Sequence, residues 1–84
     1  MENSQEAYAL AVQEELIRQL HFYTQQLPPE QKRIISLRLQ GHSWNDIAEI
    51  MQLSINTVKT QKQRSYKFLR EHLSEVPLLL LFFT

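Results

Sequence analysis

The stretch after Ser54 is rich in side chains of the kinds that recognise nucleic acid. Amide, hydroxyl and cationic groups recur there at helical spacing, so that one side of a helix would offer donors to base edges and phosphates. These residues are Asn56, Thr57, Lys59, Thr60, Gln63, Arg64 and Lys67. A solvated outer face of a small helical bundle is the simpler interpretation, and the density of these groups favours a DNA-contacting face.

The net charge of the chain is zero, but its charges are separated along the sequence. Residues 1–30 contain five Glu and one Arg, whereas residues 54–84 contain five Lys or Arg and two Glu. Local charge, not the sum, sets the potential that a ligand meets. The positive end of the chain therefore coincides with the segment that carries the DNA-type side chains.

The sequence offers no pattern for catalysis, cofactor binding or metal binding. It has no cysteine, which is compatible with the reducing cytoplasm, and His21, His42 and His72 lack the spacing of metal ligands. No Ser/His/Asp arrangement or glycine-rich phosphate loop stands out. No signal peptide and no apolar run of about 20 residues is present, so we expect neither export nor membrane insertion.

Few residues break helices, so the sequence predicts an all-α fold. The one glycine is Gly41 and the prolines stand at 28, 29 and 77. We expect a first helix over about 5–26, a second from Pro29 to just before Gly41, a third from Ser43 to about Gln52, and a fourth over about 55–72. The predicted organisation is an N-terminal helix or linker end (1–26), a DNA-binding domain (27–74) and an apolar C-terminal tail (75–84).

The third and fourth helices meet the physical demands of a helix-turn-helix. Ala48 is small enough for the point where the two helices touch, and Leu53 can fill the turn between them. Ser54 can cap the second helix of the pair, and Val58 can anchor that helix inward. The outward face of the same helix then presents the polar and basic groups.

Three stretches together resemble region 4 of the extracytoplasmic-function (ECF) sigma factors of bacterial RNA polymerase. They read Leu27-Pro-Pro-Glu-Gln-Lys-Arg-Ile-Ile, Gly41-His-Ser-Trp-Asn-Asp-Ile-Ala-Glu-Ile-Met and Leu53-Ser-Ile-Asn-Thr-Val-Lys-Thr, and Arg64 and Leu69-Arg70 that follow also fit the pattern. The resemblance covers about residues 16–73. It implies a four-helix domain containing a helix-turn-helix, of the winged-helix-like, sigma region 4 type.

The resemblance also implies partners and contact residues. Region 4 reads the −35 promoter element in double-stranded DNA and docks on the β-flap of core RNA polymerase, in the cytoplasm, during transcription initiation. By position, the residues that face the groove are Lys59, Thr60, Gln63 and Arg64, and the phosphate contacts are Ser43, Trp44, Asn45 and Arg38. Trp44 is also expected to pack under the turn.

Two features depart from the family pattern. Lys62 stands where the family usually has an apolar residue, and Tyr66 stands where it usually has a basic one. The stem of Lys62 could lie on the core with its amine in water.

Region 2 of a sigma factor has no counterpart in the chain. We therefore expect a fragment of a longer protein, which binds DNA weakly alone.

Two interpretations of the apolar run Leu78–Phe83 are open. The run could fold back onto the domain, or it could contact polymerase, an anti-sigma factor or a second copy of the chain.

Two rival functions are also open. One rival function is the DNA-binding domain of a LuxR-type regulator, which has a similar Thr-Val-Lys turn but usually opens with Leu-Thr-x-Arg-Glu. The other is a helical protein-interaction module that does not bind DNA.

Overall fold

The computed structural model describes residues 4–73, and these residues form four α-helices and no strand. The helices are α1 (Ser4–Thr24), α2 (Pro29–Leu39), α3 (Trp44–Met51) and α4 (Ile55–His72). The predicted all-α class is confirmed, and no wing strand lies within this part of the chain. None of its helices has the length and apolar character that a membrane crossing requires. The predicted tail contacts of Leu78–Phe83 lie outside the described residues.

The first helix ends two residues earlier than the sequence predicts. After Thr24 the backbone tightens: the N–H of Gln26 donates to the carbonyl of Tyr23 at 3.0 Å, and the N–H of Leu27 donates to that of Thr24 at 3.1 Å. These shorter-range bonds satisfy the last carbonyls of α1, as such bonds commonly do at helix ends. They also turn Leu27 inward, where it is buried, before Pro28 starts the next segment.

Local chemistry sets both ends of α2. Pro29 occupies its first turn, where a missing N–H costs no hydrogen bond. At the other end Gly41 has φ +101°, and two bonds close a Schellman motif. The N–H of Gly41 donates to the carbonyl of Arg38 at 2.9 Å, and the N–H of His42 donates to that of Leu37 at 3.2 Å. Gly41 therefore ends α2 as predicted.

Two apolar clusters hold the helices together, and α2 and α4 contribute to both. The first joins α1, α2 and α4 and contains Leu20, Leu27, Ile35, Tyr66, Leu69 and Leu73. The second joins α2, α3 and α4 and contains Ile34, Leu37, Ile47, Ala48 and Val58. Fully burying one large aliphatic side chain stabilises a fold by about 1.5–3 kcal/mol. The helix-turn-helix pair is therefore fixed to α2 by the second cluster.

Only the C-terminal half of α1 packs against the other helices. Residues 5–15 are exposed, and Leu10, which the helical periodicity places on the apolar side, is 56% exposed. Leu20 and Thr24 are buried, and the Thr24 hydroxyl donates to the carbonyl of Leu20 at 2.7 Å. The part of α1 that packs against α2 and α4 is therefore its last two turns.

Candidate nucleic-acid interface

The turn between α3 and α4 is tight because a second Schellman motif closes it. Gln52 adopts the left-handed region with φ 56°, and its N–H donates to the carbonyl of Glu49 at 3.2 Å. The N–H of Leu53 donates to the carbonyl of Ala48 at 2.9 Å. Leu53 is then half-buried against the second apolar cluster. Its predicted role in filling the turn is confirmed.

Ser54 starts α4 as the sequence predicts. Its backbone is extended, and its hydroxyl oxygen accepts a hydrogen bond from the N–H of Thr57 at 3.1 Å. The same oxygen lies 2.9 Å from the Thr57 hydroxyl, which ties that side chain to the cap. A serine cap typically contributes about 1 kcal/mol relative to alanine. The cap fixes where the first turn of α4 begins.

The inner face of α4 is anchored in the core. Val58 is fully buried beside Ala48 and Ile47 of α3 in the second cluster, and Tyr66 and Leu69 are buried in the first. A side chain as small as that of Ala48 at the helix contact allows α3 and α4 to approach closely. The rotation of α4 about its own axis is thereby set.

The opposite face of α4 lies in solvent, as predicted for a surface that meets DNA. Thr57 is half-buried through its contact with the cap. The remaining residues that the sequence assigned to this face are all exposed: Asn56, Lys59, Thr60, Gln63, Arg64 and Lys67. Because each of these residues has another of them three or four positions away along α4, they form a continuous polar and basic stripe.

A shallow depression of about 310 Å³ lies on this face of α4 and adds a residue that the sequence did not single out. Its walls are Asn56, Thr57, Thr60, Gln61 and Arg64. The carboxamide of Gln61 accepts a hydrogen bond from Nε2 of Gln31 in α2 at 3.0 Å. This bond between helices holds Gln61 in place, and spacing along α4 alone could not reveal it.

Three of the predicted phosphate contacts, Ser43, Trp44 and Asn45, lie at the start of α3. The Ser43 hydroxyl oxygen accepts a hydrogen bond from the N–H of Asp46 at 3.0 Å, so this side chain caps the helix. Asn45 is exposed. Trp44 is half-buried and touches both apolar clusters, with its ring 6.3 Å from that of Tyr66. The predicted packing role of Trp44 is confirmed, and its contact with a phosphate stays a prediction.

Arg38 differs in setting from the other predicted contact residues. It is only 7% exposed, and its Nη1 donates to the carbonyl of His42 at 3.0 Å. Its guanidinium carbon also lies 4.8 Å from the centre of the Trp44 ring. These contacts link the end of α2 to the start of α3. The predicted phosphate contact of Arg38 stays untested, and the observed contacts give it a structural role.

Lys62 lies against the same tryptophan. Its Nζ is 4.6 Å from the centre of the Trp44 ring and 5.5 Å from that of Tyr66. Burial lowers the pKa of Lys62, and the positive charges of Arg38 and Lys59 lower it further. Burial also raises the pKa of the Tyr66 hydroxyl to about 12, an effect that the Arg38 charge partly offsets. Two departures from the family pattern, Lys62 and Tyr66, are thus in mutual contact.

A tight helix pair with an anchored second helix and a solvent-exposed basic stripe defines a helix-turn-helix domain. Residues 17–69 match the family model "Sigma-70, region 4", and the chain belongs to this family. The expected resemblance to region 4 of the ECF sigma factors is confirmed, and the match favours this family over the LuxR-type alternative.

A curated relative points the same way. The chain is 37% identical over 65 residues to a protein of Bacillus subtilis (strain 168) named ECF RNA polymerase sigma factor SigX. The aligned part is 76% of the chain but 34% of SigX, so the chain spans about a third of the length of this relative. No solved structure matches the chain.

Proposed function

We propose that the chain recognises promoter DNA at a −35 element, with α4 as the recognition helix in the major groove. The observation that carries this proposal is the exposed stripe on α4, which lies opposite a fully buried anchor at Val58. Lys59, Thr60, Gln63 and Arg64 supply the donors to base edges, and Asn56, Thr57 and Lys67 extend the contact to both sides.

Phosphates on the flanks of the groove would meet the start of α3. Ser43 and Asn45 stand at that N-terminus, where free N–H groups and the helix dipole favour an anion. Contacts of this kind position the protein on the duplex without reading its sequence. Base contacts from α4 and phosphate contacts from α3 together support one docking geometry, with α4 in the major groove and α3 across the phosphate backbone of the DNA.

The second part of the proposal concerns RNA polymerase. SigX is named as an RNA polymerase sigma factor, and the chain shares its region 4 family. We propose that the chain docks on the β-flap of core polymerase in the bacterial cytoplasm and acts in transcription initiation rather than as an enzyme. Contacts of the C-terminal tail with an anti-sigma factor or a second copy remain further proposals. Co-sedimentation with core polymerase in the absence of DNA tests the docking step; no co-sedimentation would contradict it.

Selection from a pool of randomised duplexes tests the DNA part. We expect the chain to enrich a defined sequence, and Arg64→Ala to weaken binding to it by about 1–3 kcal/mol with relaxed specificity at one position. The matched control is Arg33→Ala, because Arg33 is an exposed residue of α2 that lines a separate depression. Enrichment of no sequence, or equal losses for both variants, would contradict the proposal.

A further inference from the structure

Two cationic side chains from different helices meet at one indole ring. The Arg38 guanidinium lies 4.8 Å from the centre of the Trp44 ring, and the Lys62 ammonium lies 4.6 Å from it. A cation over an aromatic face gains about 0.5–2 kcal/mol, depending on its exposure to water. The ring attracts each cation, but the like charges of Arg38 and Lys62 disfavour each other.

The surroundings of Lys62 disfavour its positive charge. Arg38 and Lys59 both disfavour its charged form, as does its partial burial. If this position served only the core, an apolar side chain would pack on Trp44 and Tyr66 without these costs. The ring contacts hold this ammonium, but the nearby positive charges disfavour it, so an anion at this place would be stabilising.

We infer that Lys62, held over Trp44, binds a backbone phosphate of duplex DNA beside the recognition helix. This inference rests on the proposed function and adds a contact to it. Lys59 stands three residues earlier on the exposed stripe, so Lys62 lies on the adjoining strip of α4 that turns toward α3. Trp44 opens α3, and its exposed neighbour Asn45 belongs to the same first turn.

The chemistry of the contact suits a phosphate. A lysine ammonium binds phosphate as a point charge, and its apolar stem can lie along a ring while the charged end reaches out. A phosphate oxygen at this place would offset the repulsion between Lys62, Arg38 and Lys59. Because Trp44 and Tyr66 limit the positions of the side chain, little rotamer freedom remains to be lost on binding.

The test uses the full chain and a duplex of arbitrary sequence at low ionic strength. A phosphate contact acts on any sequence, and each one contributes about −0.9 to the slope of log K against log salt. We expect Lys62→Met to make this slope shallower by about 0.9 and to weaken binding roughly eightfold at about 0.1 M salt. Lys62→Arg keeps the charge and should keep the slope. Trp44 is the only tryptophan, so its fluorescence reports the same site.

The matched control is Lys32→Met, because Lys32 is a half-buried lysine of α2 outside both the stripe and the Trp44 contact. Circular dichroism and thermal melting check that each variant is folded. An unchanged slope for Lys62→Met, or an equal change for Lys32→Met, overturns the inference while leaving the proposed function intact. Failure of the unmodified chain to bind any duplex overturns both, whereas binding without sequence preference overturns only promoter recognition.

Discussion

Replacing Arg38 with methionine distinguishes a structural arginine from a phosphate contact. Methionine keeps much of the apolar stem but removes the hydrogen bond to the His42 carbonyl and the contact with the Trp44 ring. The loop that joins α2 to α3 would lose a link to the end of α2. We expect the Arg38→Met chain to keep its four helices but to unfold more easily.

The magnitude follows from the contacts that are lost. A hydrogen bond from a charged group contributes about 1.5–3 kcal/mol, and a partly desolvated cation–π contact adds about 0.5–2 kcal/mol. Removing a buried charge also removes its desolvation cost, which offsets part of this loss. We expect a net decrease of about 2 kcal/mol in the free energy of unfolding, or roughly 10 °C in Tm for a domain of this size.

Urea titration measures this change, with Arg33→Met as the control, because Arg33 is exposed on the same helix. The salt dependence of duplex binding, measured well below Tm, should stay within about 0.3 of the unmodified slope, since a full phosphate contact is worth about 0.9. Unchanged stability together with a slope that is shallower by about 0.9 would refute the structural interpretation and restore Arg38 as a phosphate contact.

Three further predictions concern the turn, a buried phenol and the helix contact. Gln52→Gly should stabilise the chain by about 0.5–1 kcal/mol in urea titration, because Gln52 adopts a left-handed conformation that costs an L-residue about 1–2 kcal/mol; lower stability would contradict this. Burial raises the pKa of Tyr66 from 10.0 to about 12, so the stability that its neutral form contributes is fully present below pH 10 and is lost as the pH rises toward 12. Tyr66→Phe should remove this component of the pH dependence of unfolding, and an unaltered profile would count against it. Ala48→Leu should destabilise the chain by about 1–3 kcal/mol on thermal melting because it overpacks the α3–α4 contact; an unchanged Tm would argue for a looser contact.

The starts of α3 and α4 and the end of α2 at Gly41 could be predicted from the sequence because their causes are local. Ser43 and Ser54 each bond an N–H three residues later, and Gly41 adopts a backbone conformation that glycine favours. Such signals need no knowledge of the rest of the fold. The end of α3 is different, since Gln52 carries no sign of its left-handed conformation. The surrounding hydrogen bonds impose it.

Features that depend on neighbouring helices could not be predicted from the sequence. The buried setting of Arg38 follows from the placement of Trp44 across it, and Gln61 is held by Gln31 from another helix. Helical periodicity also placed Leu10 on the apolar side of α1, yet no helix within residues 4–73 reaches it. Periodicity identifies a face but cannot say how far along that face a partner extends.

The direct test of the exposed α4 stripe is a double charge reversal, Lys59→Glu with Arg64→Glu. The control carries the same charge change on α2, as Lys32→Glu with Arg33→Glu. Binding of each folded variant to duplex DNA at low ionic strength is measured by fluorescence anisotropy. If α4 reads DNA, the α4 variant loses binding while its helical circular dichroism is retained, and the α2 variant still binds. Binding by the α4 variant that equals that of the α2 variant would contradict the assignment of this face to DNA.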